Sequence, residues 1–329
     1  MAQDSNAAKA TKQVAWALVR LRSASFTRDE LIELYWNDHH EPPEEWTGVL
    51  ADFTERGYLH RDGERYRLTP AGEEFADTIR GDMFGDLLVS LDDSQAYDTL
   101  CALLYGKDLG QFSMLTMEQL DHLLHVLQLS PQSRVLDLGC SVGRITEYIA
   151  DVTRAQVTGL DFAGPAIRRA RERTTSKAEQ LTFVVGSMNR LDRLAEHFDA
   201  IIALDTLYFA TDLPQTLRAL KERLRSPGQM GLFWTATVRP DEDMTQLQAD
   251  KTRLAIALQS ADLTFQVYDY TAAEKQHWQR RMALLEELKP AFETEGSTSI
   301  YESLVNETRH HVAEVVADRI SRYLYHIQV

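Results

Sequence analysis

The sequence predicts an α/β protein. A doubly wound parallel sheet fills the second part of the chain, and a separate small helical domain precedes it. Three observations carry that expectation. From Ser133 onward, apolar runs of strand length alternate with amphipathic stretches of helix length, as a parallel sheet with crossover helices requires. The first of those runs ends in a glycine-rich turn, Gly139-Cys-Ser-Val-Gly143. The first 80 residues follow another logic, helix-period apolar positions closed by a hairpin signal. A length of 329 residues agrees with two domains at about 150 residues each.

Composition narrows the function classes. Hydrophobic residues make up 44% and charged residues 26%, an ordinary globular balance that excludes a disordered or collagen-like chain. No run of about 18 apolar residues offers a transmembrane helix. Met1 to Ala10 is polar and lacks the apolar core of a secretory signal. Two cysteines, Cys101 and Cys140, cannot build a disulfide framework or a zinc cluster, so a reducing, cytoplasmic location is expected. The formal net charge of −15 repels phosphate backbones, so neither nucleic acid nor membrane is an expected partner. No Asp/Glu/His cluster has ligand spacing, and no metal is expected.

In residues 1–80, Val14, Ala15, Leu18, Val19 and Leu21 recur at helical spacing. Thr27 opens a second helix, with Glu30 completing a capping box, and the helix carries Leu31, Ile32 and Leu34. Pro42 and Pro43 begin a third, whose apolar face is Trp46, Val49, Leu50 and Phe53. Two short alternating strands follow around Asp62-Gly63, and Thr69-Pro70 starts a further helix. Three helices followed by a hairpin resemble a winged-helix domain. The third helix holds Glu44, Glu45, Asp52 and Glu55 against one Arg56, and Asp62 and Glu64 dilute the wing's Arg61, Arg65 and Arg67. Residues 1–80 hold 10 Lys/Arg and 15 Asp/Glu, a net of −5, the wrong sign for tracking phosphates. A scaffold, lid or dimerisation role is expected, with a homodimer as the assembly.

Residues 81–130 read as a helical connector and active-site lid, with Leu120, Leu123, Leu124 and Leu127 forming a stripe after Thr116. Gly106 to Met114 reads as a loop. Residues 131–329 hold the sheet. Its expected strands are Arg134 to Leu138, Val157 to Asp161, Leu181 to Val185, Phe198 to Asp205, Met230 to Trp234, Leu263 to Tyr268 and Arg322 to Ile327. Seven strands in this pattern make a Rossmann-like sheet. A helical cap insertion covers about 271–318, where Thr271 is read as the cap residue with Glu274 three residues on.

The motifs at these strand ends resemble those of class I S-adenosylmethionine-dependent methyltransferases. The matching segments are Val135 to Gly143, Gly159-Leu-Asp161, Gly186-Ser-Met188, Phe198-Asp199 to Asp205, and Leu224 to Gly228, within about residues 105–270. A glycine-rich turn alone is weak evidence, but the combination at this spacing is specific. Gly139 and Gly143 let backbone approach a ligand without a Cβ clash. Such ligands bind beyond the C-terminal strand ends, at the switch in strand order. The resemblance implies S-adenosylmethionine as cofactor, with Asp161 accepting both ribose hydroxyls and Phe162 packing on the adenine. It implies Ser187 and Met188 at the adenine edge, and Asp137 either near the methionine amino group or ordering the turn. Two departures stand out. Ser141 occupies a position usually held by glycine, near the cofactor's methionine portion. Ser187 occupies one often held by aspartate, where its hydroxyl can still accept a hydrogen bond.

In small-molecule relatives a segment before the first strand folds over the methionine end, which makes Tyr105, Gln111 and Ser113 candidates for that contact, Tyr105 being also a candidate catalytic group. Phe112 and Met114 belong to the same loop and are candidate substrate-pocket residues. At the fourth strand's tip, Asp205 is a candidate for both cofactor binding and catalysis, and Tyr208 for catalysis. Many relatives have His where Phe209 stands, so Tyr208 and Phe209 read either as aromatic walls or as core. Trp234, with His277 and Trp278 of the cap, completes the expected acceptor site. His277 is read as a candidate catalytic group, and Cys140 as a packed residue. His310 and His311 are adjacent and point to different faces. Glu302 and Glu307 are expected in solvent. The expected reaction is methyl transfer to a small-molecule acceptor, an amine nitrogen first, since aromatic faces and carboxylates suit a cation. Alternatives are an O- or S-methyltransferase of a small metabolite, a non-methylating cofactor-binding cyclase or decarboxylase, and a winged-helix transcription regulator.

Overall fold

Local chemistry sets most element ends in the N-terminal unit. The computed structural model describes residues 10–15, 17–18, 25–39 and 46–329, with side chains omitted at 34–39. Two compact units divide the chain, one of residues 1–86 with 162–165, the other of the remainder. In the first unit, residues 10–15 and 17–18 are helical. Strand β1 (Phe26–Thr27) leads into α1 (Arg28–His39), then α2 (Thr47–Glu55), β2 (Leu59–Asp62), β3 (Arg65–Leu68) and α3 (Pro70–Asp92). The capping box forms: the Thr27 N–H donates to Glu30 Oε2 at 2.7 Å, and the Glu30 N–H donates to Thr27 Oγ1 at 3.2 Å. The hairpin pairs Asp62 with Arg65, and Gly63 adopts φ +60° in its turn. β1, not expected from so short a run, adds to β3 and gives a three-stranded antiparallel sheet.

Val14, Leu18, Phe26, Leu31, Trp46, Leu50, Phe53, Leu59 and Leu68 form this unit's core. Trp46 lies just before α2 and is anchored by a 3.0 Å bond from its Nε1–H to Gln13 Oε1. Val19, Leu21, Pro42, Pro43, Glu44 and Glu45 lie outside the described residues. The boundary expected at residue 80 falls inside the continuous helix α3, because nothing in that helix interrupts its backbone ladder.

The second unit adds α4 (Gln95–Tyr105) and α5 (Met117–Leu127) before the sheet. The strands are β4 (Arg134–Leu138), β5 (Gln156–Asp161), β6 (Leu181–Val185), β7 (Phe198–Leu204), β8 (Leu224–Thr237), β9 (Phe265–Asp269) and β10 (Ile320–Gln328). Their order is β6-β5-β4-β7-β8-β10-β9. The connecting helices are α6 (Arg144–Thr153), α7 (Gly164–Arg173), α8 (Leu213–Glu222) and α9 (Arg253–Ser260). Leu136, Leu138, Ile201 and Ala203 enter one buried cluster, and Val135, Ala200, Ile202 and Leu204 another. The sheet is thus covered on both faces, which is why its strands read as unbroken apolar runs. A Cβ at Gly231 would collide with Leu123 of α5, so this glycine lets helix and strand approach closely.

The helical insertion is α10 (Thr271–Glu295) and α11 (Thr298–Val316), turning at Gly296 with φ +80°. Two helices joined by so short a link return the chain to the edge it left. β10 therefore runs antiparallel to both β8 and β9, where a wholly parallel sheet was expected. Thr271 is the first helical residue, not the cap. Its N–H donates to Asp269 Oδ1 at 2.8 Å, while Glu274 turns inward and closes no box. Glu307 is exposed, as expected, and accepts from the buried Arg281 Nη2 at 2.7 Å.

Candidate active site

Strand order switches at β4, between β5 and β7, and ligands of such sheets bind at that crevice. The turn after β4 is built for it. Gly139, Ser141 and Gly143 have φ of +83°, +53° and +74°. The N–H groups of Gly139 and Cys140 both donate to Leu160 O, at 2.7 and 3.2 Å. A Cβ on Gly139 would sit 2.5 Å from Thr206 Cγ2, and one on Gly143 would strike Phe183. The close approach that demands glycine here is therefore to protein side chains.

Ser141 adopts the left-handed conformation despite its side chain. Its N–H donates to Asp161 Oδ2 at 2.8 Å, and its Oγ is buried with no hydrogen-bond partner among the described residues. Asp161 is buried at the tip of β5. A buried hydroxyl without a partner beside an oriented carboxylate fits a polar ligand such as the ribose and methionine portions of S-adenosylmethionine. Asp137 accepts from Thr146 Oγ1 at 2.6 Å, tying β4 to the first turn of α6. Burial raises its carboxyl to about 7, with Thr146 opposing and Asp161 adding.

The other candidate contacts have partners within the chain. Ser187 Oγ caps the following turn by accepting the Asn189 N–H at 3.2 Å, and the Met188 side chain packs into the core. Phe162 belongs with the N-terminal unit, stacked on Phe84 at 5.7 Å with the Arg80 guanidinium 5.5 Å from its ring. Gln111 spends its amide within its own loop. Its Oε1 accepts the Leu109 N–H at 2.9 Å, and its Nε2 donates to Lys107 O at 3.0 Å. Ser113 Oγ accepts the Leu115 N–H at 3.4 Å, and Phe112 is exposed.

The tip of β7 is the most connected point of the site. Asp205 holds φ +58°, and both its carboxylate oxygens are bound by Arg322, at 2.7 and 2.9 Å. Oδ2 also accepts the Met114 N–H at 3.2 Å, fastening the 106–116 loop to the strand tip. Tyr208 donates to Asp205 Oδ1 at 3.3 Å and accepts the Thr235 N–H at 2.6 Å. Its ring lies 4.4 Å from Trp234, and burial raises its hydroxyl well above the usual range. Phe209 is half-buried against the core. Trp234 is buried, and its Nε1–H has no partner.

Arg322 escaped the sequence reading. Its strand, Arg322-Tyr-Leu-Tyr-His-Ile327, reads as an apolar sheet element. A fully buried arginine needs partners, and that oddity was the available signal. Besides Asp205 it donates to Thr235 Oγ1 at 2.8 Å and to Gln119 Oε1 at 3.2 Å, and it lies 3.5 Å from Glu274 Oε2. Glu274 was also missed. Its Oε1 accepts from Trp278 Nε1 at 2.8 Å and from Thr235 Oγ1 at 3.4 Å. Trp278 lies between His311, stacked at 4.1 Å, and Arg281. His277 packs 5.2 Å from the Tyr105 ring with neither imidazole nitrogen hydrogen-bonded, and burial lowers it to about 3. Burial raises the Tyr105 hydroxyl. Among the described residues no group of His, Cys, Asp and Glu could hold a metal ion.

Residues 135–228 match a protein family described as "Methyltransferase domain". A curated relative, the sterol 24-C-methyltransferase of Debaryomyces hansenii, is 27% identical over 167 residues, 50% of this chain and 43% of that enzyme. The malonyl-[acyl-carrier protein] O-methyltransferase of Bacillus cereus is 35% identical over 96 residues, 29% of this chain and 35% of its own. The matches thus span less than half of these relatives. Among solved structures, phosphoethanolamine N-methyltransferase 2 of Haemonchus contortus with bound S-adenosyl-L-methionine superposes with a TM-score of 0.59 at 18% identity, over 72% of this chain and 58% of that one. Such a likeness reports the fold. The family match over residues 135–228 makes that segment a methyltransferase domain, and such a domain implies S-adenosylmethionine as cofactor.

Proposed function

We propose that the protein transfers the methyl group of S-adenosylmethionine to a nitrogen of a small amine, bound beyond the C-terminal ends of β4, β7 and β8. The observation that carries this reading is the turn at 139–143, where Ser141 presents a partnerless buried hydroxyl and orients Asp161 through its N–H. Asp161 would receive the ribose hydroxyls and Ser141 a polar atom of the methionine portion. The cofactor supplies a methyl carbon already activated by its sulfonium, so the chain's work is alignment and exclusion of water. Asp205 acts here as a positioning residue, because Arg322 binds both its oxygens. Tyr208 and Trp234 offer aromatic groups suited to a cation, while both faces of Trp278 are taken by His311 and Arg281. The N-terminal unit, three-stranded and acidic, is read as a winged-helix-like element that mediates a homodimer.

Calorimetric titration with S-adenosylmethionine and S-adenosylhomocysteine, repeated with Asp161→Ala, tests the cofactor site. Binding lost in the variant is the expected result. Folded wild-type protein that binds neither ligand overturns the reading. An acceptor screen by mass spectrometry follows, and turnover confined to phenols, carboxylates or thiols would overturn the amine.

A further inference from the structure

Helix α10 turns four polar or charged-tipped side chains inward along one stripe, Glu274, His277, Trp278 and Arg281. Such a stripe normally buries apolar groups. Arg281 is answered by Glu307 at 2.7 Å. Glu274 has only a share of a cation, its Oε2 lying 3.5 Å from Arg322 Nε. With Asp205 and Arg322 it makes a fully buried set of two carboxylates and one guanidinium. Arg322 spends both terminal nitrogens on Asp205 and its Nε–H on Gln119. Among the described residues nothing donates a hydrogen bond to Glu274 Oε2. The groups facing Glu274 are Thr235 of β8, Arg322 of β10, Asp205 at the tip of β7, and Trp278 on its own helix. His277, one turn along, stays neutral, so none of these supplies a second positive charge. One negative charge is left over where uncompensated charge is costly.

We infer that Glu274 is the counter-charge and proton acceptor for a cationic amine, its Oε2 receiving an N–H of the bound ammonium. This rests on the amine reading above and adds the group that prepares the nucleophile. The ammonium proton passes to Glu274 Oε2, leaving the lone pair on nitrogen. The N–C bond then forms as the methyl C–S bond breaks, and the C–S electron pair returns to sulfur. The methylated amine carries the positive charge that the sulfonium loses. Burial has already brought the carboxyl to about 7, near the pH at which such a transfer balances.

The test uses the full chain and two isosteric probes, 2-dimethylaminoethanol as the ammonium and 3-methyl-1-butanol as its neutral analogue. Binding is measured with S-adenosylhomocysteine present, at pH 5.5 and 8. An ammonium preference of about tenfold or more at pH 8, shrinking at pH 5.5 as Glu274 takes up its own proton, is the expected outcome. Glu274→Gln should remove the preference while cofactor binding persists. The wild-type pH series stands without any variant. In parallel, at pH 5.5 with S-adenosylhomocysteine, where Glu274 holds its own proton and no methyl transfer follows, the protonated-carboxyl infrared band assigned by the wild-type minus Glu274→Gln difference should weaken when ammonium binds and pairs with the carboxylate. Equal binding of the two probes, a preference retained in Glu274→Gln, or a carboxyl band that no ammonium probe alters would overturn the inference. Failure of the methyltransferase reading is separate, because it appears as wild-type protein that does not bind the cofactor.

Discussion

Replacing Arg322 with methionine tests the buried charge layer most sharply. The side chain is fully buried and makes four hydrogen bonds, two to Asp205 and one each to Thr235 and Gln119. Its removal leaves Asp205 and Glu274 as neighbouring carboxylates with no cation. Breaking a buried ion pair from one side costs about 3–5 kcal/mol, because the abandoned charge stays in a low dielectric. The cost should depend on pH in a definite direction. Burial raises Glu274 from its ordinary 4.5 to about 7, Arg322 opposing that rise. Without the arginine the folded value climbs further. A carboxyl raised on folding contributes stability that is fully present below its unfolded value and is lost as pH rises through its folded value. In wild type that loss ends near 7. In the variant it continues above, so the destabilisation at pH 8 exceeds that at pH 5. Urea denaturation at both pH values measures this, and adding Asp205→Asn should recover part of the loss. A deficit under about 1 kcal/mol, or one equal at the two pH values, would refute the reasoning.

Three further outcomes follow from single contacts. Gly231→Ala drives a Cβ into Leu123 and should cost about 1–3 kcal/mol by thermal unfolding, relieved in part by Leu123→Ala. Thr27→Ala removes the hydroxyl that caps α1 and should cost about 1 kcal/mol, with the sheet unit unaffected in near-ultraviolet circular dichroism. His277 should show no imidazole titration by NMR down to pH 5, since burial holds it near 3. Keeping it neutral contributes stability that is complete above about 6.5 and is lost as pH falls toward 3, and a midpoint near 6.5 would contradict its burial.

Much of the sheet was legible because its signals are local. Apolar runs of five to seven residues bounded by glycine and acid placed β4, β5, β6 and β7 within a residue. The Thr27–Glu30 box and the Asp62–Gly63 turn were equally readable, since capping and hairpin geometry involve neighbours in sequence. Errors arose where the partner is distant. Thr271 and Glu274 have the spacing of a capping box, yet Asp269 occupies Thr271's N–H and Trp278 and Thr235 draw Glu274 inward.

The sequence by itself determined the sheet class, the position of the glycine-rich turn and the acid at the tip of β5, because backbone conformation and strand periodicity are written in contiguous residues. Only the tertiary structure decided which charges share a dielectric. Asp205, Glu274 and Arg322 come from three separate parts of the chain, and no spacing rule links them. Their meeting follows from β10 entering the sheet antiparallel beside β8, which puts Arg322 opposite Thr235 and beside the tip of β7. Coulombic energy depends on distance and burial, and both are properties of the folded chain.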